Sequence, residues 1–103
     1  MTTVLIIISP EQFSEKEFFT IKTGLENAGY ITVIASISKG LCYGSRQSAI
    51  AATQSLSEVE TADYNGVIFI GGRGSRALVT NDDALRIAAE MSQANKITAA
   101  ICL

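Results

Sequence analysis

The sequence predicts an open α/β fold, a doubly wound and mostly parallel sheet with helices on both faces. Three observations predict it. Continuous aliphatic runs at Thr3 to Ile8, Val67 to Ile70 and Ile97 to Ile101 have the length of strands buried on both faces, as parallel sheets require. Stretches with apolar residues at helical spacing lie between these runs. The resulting order is β-α-β, a loop region with minor strands, then β-α-β, and each such crossover is expected to be right-handed.

The first strand, Thr3 to Ile8, is β-branched throughout and reads as central rather than edge. Ser9-Pro10-Glu11-Gln12-Phe13 breaks it. Ser14 and Glu17 then have the spacing of a capping box, with Ser14 as N-cap. Phe18, Ile21, Leu25 and Ala28 follow at helical spacing, and Gly29 is expected to close the helix in the left-handed conformation. Gly24, unfavourable inside a helix, is expected to mark close packing on the sheet. Tyr30 to Ser36 alternates and is β-branched, so it reads as the second strand.

Between Ile37 and Ala62 the signals are short. Lys39-Gly40 and Tyr43-Gly44-Ser45 read as turns, Ser48 to Thr53 as an edge strand or hairpin arm, and Ser55 to Val59 as a turn of helix. The pattern sharpens again at the strand Val67 to Ile70, the loop Gly71 to Ser75 and a short helix from Ser75 to Val79. Asn81 is placed to cap a further helix, with Asp82 and Asp83 in the first turn where the helix dipole favours acids. Its stripe is Ala84, Ile87, Ala88 and Met91, and it should run to about Gln93. The last strand, Ile97 to Ile101, leads into Cys102. A strand seldom ends a domain inside its core, where a free carboxylate would be buried without partners. Residues 1–103 therefore read as one domain, truncated after this strand and continuing in a longer protein.

Composition narrows the function classes. With 48% hydrophobic and 17% charged residues, the chain has the make-up of a globular domain. A net charge of −2 with scattered Lys and Arg gives no basic field for nucleic acid, so no nucleic-acid partner is expected. The longest apolar run, Val4 to Ile8, is far too short to span a membrane, and no membrane partner is expected. The start Met-Thr-Thr lacks a signal-peptide pattern, so both cysteines, Cys42 and Cys102, read as free thiols in a cytoplasmic setting. The 103 residues contain no histidine, which removes the commonest metal ligand and general base. No metal and no cofactor is expected.

Cys102 is the leading candidate for chemistry. In doubly wound sheets ligands bind beyond the carboxyl ends of the strands, and a thiol at a strand-to-helix elbow is favoured as thiolate by the helix amides. A small buried hydrophobe is the competing reading. Gly71 and Gly72 end the neighbouring strand, where glycine backbone N–H groups suit an oxyanion. The same stretch, Gly72-Arg73-Gly74-Ser75-Arg76-Ala77, also fits the loose dinucleotide fingerprint, but no strand ends in an acid at the required distance. Glu17 either closes the capping box or faces Cys102 as a carboxyl partner, the first and last strands then lying close together. Glu11 and Glu15 are nearby competitors for that role but read as solvated. Cys42, read in a loop with no charge partner in sequence reach, is structural or incidental. Arg46, Arg73 and Arg76 are candidates for an acidic substrate group.

Taken in order, Pro10-Glu11-Gln12-Phe13 with Glu17, Ala28-Gly29, Asp63-Tyr64, Phe69-Ile70-Gly71-Gly72, Asn81-Asp82, Ala84-Leu85 and Ala99-Ala100-Ile101-Cys102 resemble the ThiJ/PfpI superfamily. That group includes the Parkinson's-associated deglycase and the intracellular protease PfpI, and is class I glutamine-amidotransferase-like. The resemblance spans nearly the whole chain. It implies a flavodoxin-like sandwich with Cys102 as the reactive thiol, Glu17 as its carboxyl partner, and the backbone N–H groups of Gly72 and Leu103 as the oxyanion site. Protease-like members carry a histidine immediately after the cysteine. Leu103 stands there in this chain, which disfavours Cys-His peptidase chemistry. The resemblance implies glyoxalase, deglycase or hydrolase chemistry on a small-molecule carbonyl substrate, without a cofactor and in a possible homodimer. The alternatives are a redox-sensing or chaperone-like stress-response protein without turnover, and a catalytically silent, structural or nucleotide-binding module.

Overall fold

The structure, a computed structural model, describes residues 2–101. Its strands are β1 (Thr3–Ile7), β2 (Glu11–Phe13), β3 (Ile31–Ser36), β4 (Gly40–Gly44), β5 (Ala49–Ala52), β6 (Gln54–Ser55), β7 (Gly66–Ile70) and β8 (Ile97–Ile101). The helices are α1 (Glu15–Asn27), α2 (Arg76–Val79) and α3 (Asp82–Gln93), with short 3₁₀ turns at Leu56–Glu58, Thr61–Asp63 and Arg73–Ser75.

A parallel sheet runs in the order β6-β3-β1-β7-β8, with β1 paired to β3 (Leu5 opposite Val33) and to β7 (Leu5 opposite Val67). The two faces of β1 divide the interior. Leu5 and Ile7 point into a core completed by Val67, Phe69, Ile87 and Met91 beneath α3. Ile6 and Ile8 point the other way, to Phe13, Phe18 and Ile70 beneath α1. This is the period-two alternation of a strand with both faces covered, which is why the run is continuously aliphatic. Helices on both faces of a mostly parallel sheet are what the sequence predicts.

Both long helices end in Schellman motifs. Gly29, at φ +93°, donates its N–H to Glu26, and Tyr30 donates to Leu25. Asn95, at φ +58°, repeats the arrangement after α3, donating to Ser92, while Lys96 donates to Met91. Asn81 caps α3 as expected, its side chain accepting the Ala84 N–H at 2.9 Å.

Several elements differ from the expectation. Gly24 does not touch the sheet: it is exposed, and a Cβ placed there meets nothing within 4 Å. Gly40 to Gly44 is a strand rather than a pair of turns. It pairs antiparallel with β5 and parallel with β2, making a second, three-stranded sheet in the order β2-β4-β5. The hairpin turn is tightened to Gly44-Ser45-Arg46-Gln47-Ser48. The turn at Ser55 to Glu58 does form, its Glu58 carboxylate accepting the Ser55 N–H and hydroxyl. β8 was expected to be buried on both faces. Among the described residues it is instead the sheet edge, with Ile97 74% exposed. No helix among the described residues is long and apolar enough to cross a membrane.

With open space around Gly24, Gly24→Ala should stabilise the chain by about 0.4–1 kcal/mol, through helix propensity and a less flexible unfolded state. An upward shift of the urea midpoint with unchanged slope is the expected reading.

Candidate functional site

The carboxyl ends of β1 and β7 meet beneath the start of α1. Beyond β1 the chain passes through Ser9, whose hydroxyl donates to the Glu11 carbonyl at 2.9 Å, and continues as β2 into Ser14. Beyond β7 it passes Gly71 and Gly72. These two segments lie backbone on backbone: Phe13 bridges Gly72 in antiparallel fashion, and the Ser14 N–H donates to the Gly71 carbonyl at 2.8 Å.

Gly72 has φ +121°, and a Cβ there would stand 2.5 Å from the Gln12 carbonyl oxygen and 2.6 Å from the Ser14 nitrogen. Only glycine satisfies both the left-handed backbone and the close approach. At Gly74 the close approach alone excludes a side chain, since a Cβ would overlap the Glu11 carbonyl. Packing against Glu11 to Ser14 therefore accounts for the Gly-x-Gly spacing, and α2, which follows, is only four residues long. The hydrogen bond from Ser14 to Gly71 flanks the bridge, so Phe13 and Gly72 are its non-hydrogen-bonded pair. The bridge leaves the Gly72 N–H unused.

The same bond decides the state of Glu17. A capping box needs the N-cap N–H as donor to the glutamate. The Ser14 N–H is already committed to Gly71, and the Ser14 side chain makes no capping hydrogen bond. The expected capping box does not form. Glu17 is half-buried, and its Oε2 is buried without a hydrogen-bond partner among the described residues. An orphaned carboxylate oxygen in the first turn of a helix is costly unless something else meets it. Glu17 also lines an open groove with Lys16, Thr20 and Ile21.

Glu15 is the residue that sequence reasoning missed. It was read as solvated, yet it is 8% exposed. Its Oε2 accepts the N–H groups of Arg46 at 2.6 Å and Ser48 at 3.0 Å, and its Oε1 accepts the Ser48 hydroxyl at 2.9 Å. Burial by itself pushes its pKa up. The Ser48 and Arg46 N–H groups, the Ser48 hydroxyl and the nearby Arg46 charge outweigh burial and hold the carboxyl below its ordinary value. No local signal marks this, because both donors lie more than thirty residues downstream.

Glu11, Arg46, Arg73 and Arg76 are exposed. Cys42 is 1% exposed in the core under α1, as its structural reading required. Cys102 and Leu103 lie outside the described residues. β7 separates β1 from β8, so the first and last strands are next-nearest rather than adjacent neighbours.

Comparison with known proteins bears on the chain as a whole. A sequence profile of the DJ-1/PfpI family matches residues 2–103. The chain belongs to the DJ-1/PfpI family. An uncharacterized protein of Methanocaldococcus jannaschii is 31% identical over 101 residues, covering 97% of this chain and 49% of the relative. Deglycase PfpI of Pyrococcus furiosus is 26% identical over 98 residues, covering 95% and 59% respectively. The crystal structure of a ThiJ/PfpI domain protein from Brachyspira murdochii superposes with TM-score 0.91 at 28% identity, over 95% of this chain and 57% of that one. The chain thus spans about half the length of the family relatives it matches.

Two outcomes follow from this geometry. Gly72→Ala should destabilise the chain by roughly 2 kcal/mol or more, from the positive φ and the clash with Gln12 and Ser14, seen as a lower urea midpoint. For Glu15, the folded pKa lies below the ordinary 4.5, so its contribution to stability is full above that pH and is lost as pH falls through the folded value. The stability gap between wild type and Glu15→Gln should therefore be widest near neutrality and close on acidification.

Proposed function

We propose that this chain carries a cysteine nucleophile, Cys102, which acts with Glu17 on small reactive carbonyls in glyoxalase or deglycase fashion. The observation that carries this reading is the Oε2 of Glu17, buried without a hydrogen-bond partner among the described residues and freed from capping duty at the start of α1. Cys102 follows directly on β8, whose Ile101 is paired with Ile70, two residues before Gly72. The carboxyl end of β8 therefore lies beside that of β7, which leads into the Gly71-Gly72 loop. Family relatives bearing the name deglycase support the substrate class.

In this reading the thiolate adds to the carbonyl carbon, forming a C–S bond while the π electrons move to oxygen. Glu17 passes the proton between thiol and alkoxide, as a general acid–base must. The N–H groups of Gly72 and Leu103 receive the oxyanion. Glycine at 72 serves twice, allowing the close approach of Gln12 and leaving its N–H free of the bridge.

The test is the rate of Cys102 alkylation against pH, followed by peptide mass mapping, in wild type and Glu17→Ala. Free cysteine is the reference, because Cys42 is 1% exposed and reports only local opening. An ordinary thiol titrates near pKa ~8.5. Reaction well below that pH, with a profile moved by Glu17→Ala, supports an activated nucleophile, and turnover of a 1,2-dicarbonyl such as methylglyoxal should then be lost in Cys102→Ser. A Cys102 that titrates like free cysteine in both proteins would falsify this reading.

A further inference from the structure

The helix that bears Glu17 begins without a side-chain cap, and something else must fix its first turn. We propose that Glu15 is a positioning residue for the site: by clamping the β4–β5 turn against the start of α1, it holds both Glu17 and the Gly72 loop. The inference rests on the thiol reading given under Proposed function.

Glu15 and Glu17 stand two residues apart in one helix turn, so their side chains leave in different directions. Glu17 keeps an unpartnered oxygen, whereas both oxygens of Glu15 are spent on Arg46 and Ser48 of the hairpin turn. Gly44 makes room for this, since a Cβ there would overlap the Glu15 side chain. The same hairpin is bonded to the segment that leads into α1. Tyr43 donates its N–H to the Pro10 carbonyl at 2.9 Å, and Ser45 donates to Phe13 at 2.9 Å.

Phe13 in turn bridges Gly72, and the Ser14 N–H is held by Gly71. These contacts close a ring: from Glu15 to the hairpin turn, across to β2, on to Gly71 and Gly72, and back through Ser14. Every link but one is backbone to backbone. The exception is the Glu15 carboxylate, which ties the start of the helix carrying the candidate proton carrier to the hairpin. The hairpin's own bonds to Pro10 and Phe13 brace the segment that packs on Gly71 and Gly72. Hydrogen bonds to an ionised acceptor are stronger than neutral ones, which suits a clamp made by one group.

The test uses Glu15→Gln and, from the hairpin side, Ser48→Ala, which deletes one donor and leaves the helix untouched. Amide hydrogen exchange is followed at Arg46, Ser48, Ser45 and Ser14, beside the pH profile of Cys102 alkylation and the urea midpoint. If Glu15 closes the ring, exchange should rise on the order of tenfold at Arg46 and Ser48 in Glu15→Gln. It should rise also at Ser14, whose N–H donates to Gly71 and not to the Glu15 carboxylate. The alkylation profile should move toward that of a free thiol at pH values where both variants remain folded. Ser48→Ala should give the same pattern in weaker form. Faster exchange confined to Arg46 and Ser48, with Ser14 and the alkylation profile as in wild type, would reduce Glu15 to a hairpin pin and overturn the proposal. Should wild-type Cys102 behave as an ordinary thiol, the thiol reading fails, and exchange at Ser14 alone decides whether Glu15 holds the Gly71-Gly72 contact.

Discussion

Where β1 and β7 end, two stretches of backbone are pressed together, Glu11 to Ser14 against Gly71 to Gly74, and much of the structure depends on that contact. It is possible only because Gly72 and Gly74 present hydrogen where any side chain would collide with Gln12, Ser14 or Glu11. It fixes the point at which the chain turns into α1. It also consumes the Ser14 N–H, which releases Glu17 from the role its spacing suggests. A hydrogen bond that finishes a loop in this way leaves a carboxylate oxygen buried one helical turn later with no partner among the described residues. Loop packing and available chemistry are here consequences of one donor being used once.

The second constraint is charge. A buried carboxylate is unfavourable unless donors surround it, and Glu15 has three. The two acids in the first turn of α1 have opposite fates: Glu15 is satisfied by a distant hairpin, whereas Glu17 keeps an oxygen with no hydrogen-bond partner among the described residues. The uncapped helix start is held by a tertiary clamp instead of a local one. The small sheet β2-β4-β5 therefore reaches the site through hydrogen bonds rather than as a mere ornament on the larger one.

What was legible in the sequence follows from the range of the forces involved. The central strands and both long helices were legible because burial imposes a period, two along Leu5 to Ile8 and about 3.6 along Ala84 to Met91, that any local reading detects. Gly29 and Asn81 were legible because caps are local. β4 was not, because its glycines read as turns although the strand pairs with neighbouring β5 and distant β2. Nor was the role of Glu15, because its partners lie more than thirty residues away. The Ser14 and Glu17 spacing was misleading for the same reason: Gly71, which takes the Ser14 N–H, stands far along the chain. β8 departed from its expected burial because a continuous apolar run does not say whether both faces of the strand are covered by packed elements. The family resemblance was carried by the order of many weak motifs, and a superposition of TM-score 0.91 at 28% identity shows how far fold persists beneath changed sequence. Chemistry is carried by fewer positions, and a fold shared among deglycase-named relatives does not by itself assign them.

The most direct measurement is the distance between Glu17 Oε2 and Cys102 Sγ in a high-resolution crystal structure. The account predicts that they lie within hydrogen-bond reach, about 3–3.5 Å, with the thiol supplying the partner that Glu17 otherwise lacks. A Glu17 Oε2 bonded elsewhere, with Cys102 Sγ well beyond that reach, would contradict it.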